Sequence, residues 1–205
     1  MCQSEVCRIR MLTRLGGTSD TASSRATESK HSGRRVPVMA LPDVCVVYIL
    51  REGAAGTEVL LGYKRTGLGL GRVVGIGGKV EPGESILAAA VREVREETEL
   101  SIAPVDLEPA GVFDYLFPSR PAWSQRSHVF LCRRYLGRPA ETEEIVPAWF
   151  PVSEIPLDRM WDDARRWLPQ VLRGERAGAT YVFGDDLATV ASETAGLPGG
   201  TTGIR

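Results

Sequence analysis

GKVEPGESILAAAVREVREETEL, residues 78–100, is the most informative segment of the chain. Within it, residues 84–98 contain neither glycine nor proline, and their apolar side chains recur at three- and four-residue spacings. This pattern predicts an amphipathic helix. Glu93, Glu96 and Glu97 would share one face of that helix, because residues three and four apart are neighbours on its surface.

Three carboxylates on one helix face repel one another, and a bound cation relieves that repulsion. Mg²⁺ is a hard cation that prefers oxygen ligands and often shares its coordination shell with substrate phosphates. The preceding segment, residues 67–78, contains six glycines, so it is predicted to be a loop whose backbone can approach a metal or a phosphate. A solvated helix face held by ion pairs is the alternative interpretation.

Composition limits the other classes of function. The net charge of -1 gives no basic surface for duplex nucleic acid, and no apolar run reaches the roughly 18 residues of a membrane span. Cys45 and Cys132 form no C-x-x-C pair, which favours a reducing, cytoplasmic location. Outside the N-terminal region His128 is the only histidine, so hydrolytic chemistry is expected to depend on carboxylates and metal.

Three regions are predicted along the chain: a disordered basic extension over residues 1–40, a folded domain over 41–190 and a flexible tail over 191–205. Strands and helices are expected in the folded domain without regular βαβ alternation, which favours an α+β architecture. The predicted strands are residues 44–50, 58–64, 112–117 and 128–135, with an extended piece at 146–152. A second helix is predicted at 162–172, and a closing hairpin at 181–190 with its turn at 184–186.

Residues 78–100 resemble the Nudix box, G-x5-E-x7-R-E-U-x-E-E-x-G-U, in which U is apolar. The resemblance implies a Nudix fold, a mixed β-sheet sandwiched between helices. Glu99 departs from the pattern, since the family has glycine there. Glycine at that place ends the helix in a left-handed conformation. Glu99 therefore either lets the helix continue or costs about 1 kcal/mol of backbone strain.

Two flanking segments, residues 59–80 and 148–169, resemble the oxidised-purine nucleoside triphosphatases of the MutT-homologue type. That resemblance implies a Mg²⁺-dependent enzyme that cleaves triphosphates such as 8-oxo-dGTP and 2-hydroxy-dATP to the monophosphate and pyrophosphate. It would sanitise the nucleotide pool. The oligomeric state is left open, with a monomer favoured. The alternatives are a Nudix hydrolase of ADP-ribose, a dinucleoside polyphosphate or an RNA 5′ end, and a non-catalytic ligand sensor.

The resemblance also implies roles for individual residues. Arg92 would hold the glutamates by ion pairs, and Mn²⁺ could substitute for Mg²⁺. The implied metal ligands are the Gly77 carbonyl, Glu93, Glu96, Glu97 and Glu144. The implied catalytic residues are Arg92, Glu96, Glu97 and Glu144, and the implied substrate-binding residues are Lys64, Val74, Tyr115, Phe117, Trp161 and Asp163.

Each substrate-binding residue has a simpler structural interpretation. Trp161, Tyr115 and Phe117 would otherwise be core or rim aromatics. Asp163 would otherwise cap the second helix, and Lys64 would be a solvated strand residue. Two pocket positions also depart from the animal enzymes, because Val74 replaces a base-binding asparagine and Ala164 replaces a second aspartate. A pocket without those polar groups is expected to discriminate less between bases.

Overall fold

The computed structural model describes residues 40–54 and 56–196. The predicted extension over residues 1–40 lies outside these ranges except for Ala40, and residues 197–205 of the predicted tail also lie outside them. Within the described ranges, no helix is long and apolar enough to cross a membrane. The described strands are β1 (Asp43–Gly53), β2 (Gly56–Lys64), β3 (Val73–Val74), β4 (Leu107–Leu116), β5 (Gln125–Cys132), β6 (Ile145–Pro151), β7 (Ala177–Phe183) and β8 (Val190–Ala195), and the α-helices are α1 (Ile86–Thr98) and α2 (Ala164–Leu172).

The strands form one mixed sheet in the order β3-β2-β1-β5-β4-β7-β8, and β6 also pairs with β2. β1 runs parallel to β5, and β4 runs parallel to β7. The other pairs are antiparallel. The α+β architecture that the lack of regular βαβ alternation favoured is thus confirmed.

Side chains of β1 alternate between the two faces of the sheet. Tyr48 and Leu50 are buried in one hydrophobic cluster, whereas Val47 and Ile49 are buried in the other. The helix residues in these clusters are Trp167, Leu168, Val171 and Leu172 of α2 in the first, and Ala89, Ala90 and Val94 of α1 in the second. Each large aliphatic side chain buried in this way contributes about 1.5–3 kcal/mol. The predicted sheet sandwiched between helices is therefore confirmed.

Both ends of α1 are set by local chemistry. The Ser85 side chain accepts a hydrogen bond from the Ala88 N–H at 3.1 Å, so the helix begins at Ile86 rather than at the predicted residue 84. At the other end Glu99 adopts a left-handed conformation with φ 62° and ψ 4°. The helix therefore ends before Glu99 instead of continuing. Of the two predicted alternatives, the structure shows the one in which the Glu99 backbone is strained.

The predicted closing hairpin exists, but its second strand lies later than expected. β8 pairs with β7 in antiparallel register from Phe183 opposite Val190 to Ala179 opposite Ala195. The prediction of a flexible tail from residue 191 is therefore wrong for residues 191–195. Only the first residue of β8 is buried and the others are exposed. An edge strand of this kind is held by main-chain hydrogen bonds and shows no hydrophobic alternation in the sequence.

Candidate active site

One cavity of about 580 Å³ is bordered by the sheet, by α1 and by the segment that leads into α2. All the residues to which the sequence analysis gave a metal, catalytic or substrate-binding role line it. They are Lys64, Val74, Gly77, Arg92, Glu93, Glu96, Glu97, Tyr115, Phe117, Glu144, Trp161 and Asp163. The cavity has an acidic end at α1 and an aromatic end at the start of α2.

Arg92 is the centre of the ion pairs on α1. Its guanidinium donates two hydrogen bonds to the Glu84 carboxylate, at 3.0 and 2.9 Å, in a bidentate arrangement. It also donates to Glu93 at 2.8 Å and to Glu96 at 3.0 Å. The hydrogen bonds to Glu84 raise the pKa of Arg92 and lower the pKa of Glu84. One cation thus fixes the side chains of three glutamates.

Lys64 approaches the same acidic end from β2. Its Nζ lies 2.7 Å from Glu97 Oε1 and 3.1 Å from Glu144 Oε2. Burial acts to lower the pKa of Lys64, but its hydrogen bonds to Glu97 and Glu144 outweigh this effect and raise the pKa. Lys64 is therefore a charged, partly buried lysine of the cavity and not a solvated strand residue.

Two consecutive glycines allow the backbone to approach the acids. The Gly77 N–H donates to Glu97 Oε2 at 2.9 Å. Gly77 has φ 152°, and a Cβ there would lie 2.1 Å from the Cys45 carbonyl oxygen, so no side chain fits. A Cβ on Gly78 would lie 2.6 Å from the Glu93 carboxylate carbon. Close packing against the backbone thus requires glycine at Gly77, whereas a side chain at Gly78 would displace the Glu93 carboxylate.

The acidic end suits a divalent cation, although its carboxylates are not preassembled around one. Across residues 40–54 and 56–196, no three His, Cys, Asp or Glu side chains form a ready metal-binding group. Burial raises the pKa of both Glu93 and Glu97, against the opposing effects of Arg92 and Lys64 respectively. A cation close to these carboxylates would stabilise their charged forms. Carboxylate oxygens are also the ligands that Mg²⁺ prefers, so the residues present fit this ion.

At the aromatic end, Asp163 is a buried carboxylate, 3% exposed. Its Oδ2 accepts hydrogen bonds from the Tyr115 hydroxyl at 2.9 Å and from Trp167 Nε1 at 2.8 Å. Its Oδ1 is buried without a hydrogen-bond partner among the described residues. Burial raises the pKa of Asp163, partly offset by these two hydrogen bonds. Asp163 makes no side-chain cap to α2, which excludes the simpler interpretation of this residue.

Aromatic rings surround this end of the cavity. Phe117 is 3% exposed and stacks on Phe183, with ring centres 4.4 Å apart. Trp161 is nearly perpendicular to both rings. The guanidinium of Arg72 lies 4.3 Å from the centre of the Trp161 ring and donates to the Met160 carbonyl at 3.0 Å. Trp161 also lines a neighbouring groove of about 330 Å³, which Arg72 lines as well, so the indole borders both spaces.

The NUDIX domain family model matches residues 39–171. This chain belongs to the Nudix family. It is 39% identical over 126 residues to the oxidized purine nucleoside triphosphate hydrolase of Danio rerio, covering 62% of this chain and 79% of the relative. The enzyme of the same name from Mus musculus is 37% identical over 128 residues, covering 62% of this chain and 80% of the relative.

Solved structures with the same fold support the assignment. The MutT protein from Bacillus halodurans superposes with a TM-score of 0.61 at 22% identity, covering 75% of this chain and 97% of that chain. The NUDIX domain of NrtR from Shewanella oneidensis, solved with ADP ribose, gives a TM-score of 0.55 at 15% identity, covering 73% and 98%. At these identities the similarity shows the Nudix fold alone. The chain is a Nudix hydrolase with an α+β fold.

Two cavity positions of this Nudix hydrolase carry apolar side chains. Val74 lies in β3 opposite Gly62 of β2 and lines the cavity. Ala164 is buried at the first residue of α2 and lines it as well. Both positions therefore belong to the pocket, as the resemblance implied. Neither side chain can hydrogen-bond a base.

The sequence analysis missed several polar residues of the cavity. Tyr48 of β1 and both Gln125 and Ser127 of β5 line it. Arg72, which lines the neighbouring groove, was missed too, because a charged residue in a glycine-rich loop gives no signal of stacking on a distant tryptophan. Residues 125, 127 and 129 alternate along β5, which was the available signal that they share one face. The predicted strand began only at residue 128, so that signal was not used.

Proposed function

We propose that this Nudix hydrolase cleaves nucleoside triphosphates to the monophosphate and pyrophosphate, with oxidised purine nucleotides such as 8-oxo-dGTP and 2-hydroxy-dATP as favoured substrates. The observation that carries the proposal is one cavity with a carboxylate cluster at one end and, at the other, an aromatic pocket that holds an unpartnered buried oxygen of Asp163. The names of the relatives from Danio rerio and Mus musculus support the same substrate class.

The acidic end would bind the metal and the phosphates. Glu93, Glu96, Glu97 and Glu144 would hold Mg²⁺, or Mn²⁺ in its place, together with the carbonyl of Gly77. The bound ion would neutralise phosphate charge and make a water molecule more acidic. Arg92 fixes Glu93 and Glu96 through its hydrogen bonds.

Side chains of the protein would accept the proton of the attacking water and pair with the charge of the phosphate. A glutamate of the cluster would accept the proton of the attacking water. Lys64 stays charged beside Glu97 and Glu144, so its ammonium is available to pair with a phosphate oxygen. Cys45 and Cys132 are buried, and burial raises the pKa of both thiols, so a covalent cysteine nucleophile is not favoured.

The aromatic end would bind the base. Trp161 and Phe117 offer apolar surface, while Asp163 offers a polar contact. Because Oδ2 of Asp163 already accepts two hydrogen bonds, a proton on this carboxyl would reside on Oδ1 and could be donated to a base. An unsatisfied buried polar group costs about 1–3 kcal/mol, and a base that pairs with it recovers that cost.

A broader Nudix substrate range is the second candidate, and the apolar Val74 and Ala164 favour it. Cleavage of ADP-ribose, compared with cleavage of the purine triphosphates, then distinguishes the two candidates. A non-catalytic module is disfavoured, because clustered acids are costly to keep without a ligand. Location in the cytoplasm and action as a monomer in nucleotide-pool sanitisation and DNA repair are parts of the same proposal, and the free buried cysteines are typical of a reducing compartment.

The test is product analysis with Mg²⁺ and equal concentrations of 8-oxo-dGTP, 2-hydroxy-dATP, dGTP and ADP-ribose. Preferred cleavage of an oxidised purine, with pyrophosphate released, is the expected result. Equal rates for 8-oxo-dGTP and dGTP would refute the sanitising role.

Glu97→Gln should lower kcat by about 10²–10⁴-fold, since it removes one of the charged oxygens on which metal binding and proton transfer depend. Glu154→Gln is the matched control, because Glu154 is exposed and does not line the cavity. An active Glu97→Gln enzyme would remove Glu97 from the catalytic site.

A further inference from the structure

Three polar side chains lie on the sheet face that forms the floor of the cavity: Tyr48, Gln125 and Ser127. Around them that face is apolar, with Val46 and Val129 lining the same space. Tyr48 is 3% exposed and Ser127 is 2% exposed, so water reaches them poorly. Polar groups in such a place are expected to have partners.

Among the described residues, these three side chains have no hydrogen-bond partner. Asp163 Oδ1 is the only fully buried side-chain oxygen or nitrogen there that lacks one. The polar atoms of Tyr48, Gln125 and Ser127 therefore reach the open space of the cavity instead of the protein interior. A bound ligand is the partner that would satisfy them.

Strand register places Gln125 at the base end of the cavity. Gln125 lies directly opposite Tyr115 in the antiparallel pair of β4 and β5, and Ser127 lies opposite Phe113. Opposite residues of such a pair project from the same face. The Tyr115 hydroxyl donates to Asp163, so Gln125, like Tyr181 on the other side of Tyr115, is a polar neighbour of that contact along the sheet.

We infer that Gln125 is a base-binding residue that, together with Ser127, hydrogen-bonds the edge of the substrate's base. This inference rests on the proposed function and adds a second polar contact to that of Asp163. It also gives a physical reason why the apolar Val74 and Ala164 need not abolish base recognition: the polar groups are supplied by the floor of the cavity.

A primary amide has the chemistry to pair with the edge of a purine base. A glutamine side chain presents one acceptor and two donors, so it forms two parallel hydrogen bonds with an edge that has an acceptor beside an N–H. Guanine, 8-oxoguanine and the keto form of 2-hydroxyadenine offer a carbonyl beside a ring N–H, and adenine offers a ring nitrogen beside its amino group. One bidentate pair of this kind contributes a factor of about 10 to 100 to binding.

The experiment replaces the amide by an apolar side chain of similar length, Gln125→Met. We expect KM for 8-oxo-dGTP, 2-hydroxy-dATP, dGTP and dATP to rise about 10- to 100-fold, and kcat to change less than about threefold. Gln170→Met is the matched control, because Gln170 lies on the exposed side of α2 and does not line the cavity. An unchanged KM, or a fall in kcat alone, would overturn the inference.

A second measurement separates this inference from the proposed function. Binding of the corresponding nucleoside monophosphates is measured without added metal, so that no hydrolysis is needed. If the wild-type protein hydrolyses none of the triphosphates but Gln125→Met weakens binding of the nucleoside monophosphates and leaves binding of 2-deoxyribose 5-phosphate unchanged, the proposed function fails and the inference stands. If hydrolysis is as proposed and the variant weakens binding of 2-deoxyribose 5-phosphate as much as that of dGMP, the inference fails alone.

Discussion

Replacing Glu99 by glycine should stabilise the protein. Glu99 follows the last residue of α1 with φ 62° and ψ 4°, a left-handed conformation that glycine adopts without a steric penalty. Its N–H donates to the Arg95 carbonyl at 2.9 Å, and glycine keeps that hydrogen bond. The side chain is exposed and has no hydrogen bond among the described residues, so nothing is lost by removing it.

The expected size follows from two opposing effects. A left-handed conformation costs a non-glycine residue about 1–2 kcal/mol. Glycine gives the unfolded chain extra conformational freedom, which offsets about 0.5–1 kcal/mol of that gain. The net increase in the free energy of unfolding is therefore about 0.5–1 kcal/mol. For a chain of this size, that corresponds to a rise in Tm of about 1–4 °C.

Calorimetry or urea denaturation measures the change, and Glu99→Ala is the matched control. Alanine removes the same side chain but keeps the Cβ, so the strain remains and stability should change by less than about 0.5 kcal/mol. Equal stabilisation by glycine and alanine would show that the charge of Glu99 matters and its backbone conformation does not. A glycine variant that is less stable than wild type would refute the reasoning altogether.

Two further predictions concern the base end of the cavity. Burial raises the pKa of Asp163. The stability that this carboxyl contributes is therefore complete below the ordinary aspartate pKa, about 4, and is lost as pH rises through the raised value. Asp163→Asn should remove this dependence of stability on pH. Asn can still accept from Tyr115 and Trp167, so urea titrations should show the variant gaining stability relative to wild type as pH rises above about 4. Arg72→Ala should raise KM about two- to fivefold with little change in kcat, because Trp161 loses the guanidinium stacked on its ring.

Each of these two predictions has a control variant and a result that would contradict it. For Asp163→Asn, a stability difference from wild type that does not vary with pH would contradict the prediction that a buried carboxyl titrates. Asp158→Asn is the comparison, since Asp158 is exposed and does not line the cavity. For Arg72, Arg138→Ala removes an exposed arginine outside the cavity. A fall in kcat at unchanged KM would show that Arg72 does not act through base binding.

The parts of the fold with strong local signals could be predicted from the sequence. α1 has regular apolar spacing and no breaker, and α2 was also placed correctly apart from its first two residues. β8 could not be predicted, because an exposed edge strand depends on the backbone of its neighbour. The pairing of β6 with β2 was also hidden, since residues 145–151 contact residues far away in the chain.

In the candidate site, too, the residues with a strong local signal were the ones that could be predicted. The glutamates of α1 were found because their spacing is fixed within one helix. The contact of Lys64 with Glu97 spans 33 positions of sequence, and its contact with Glu144 spans 80, so only the folded sheet brings them together. Gln125 escaped notice because a polar residue on a strand usually faces solvent, and the sequence does not show which face a cavity covers.

The placement of the two helices on opposite faces of the sheet has a consequence for how substrate preference can evolve. Three of the four candidate metal-binding glutamates lie on α1, whose buried residues belong to one hydrophobic cluster, while the residues around the base end belong mainly to the other. Mutations that reshape the base pocket therefore disturb the packing beneath α2 and leave the support of the acids intact. Duplicated genes with this architecture can drift towards new nucleotides while inheriting the hydrolytic chemistry unchanged.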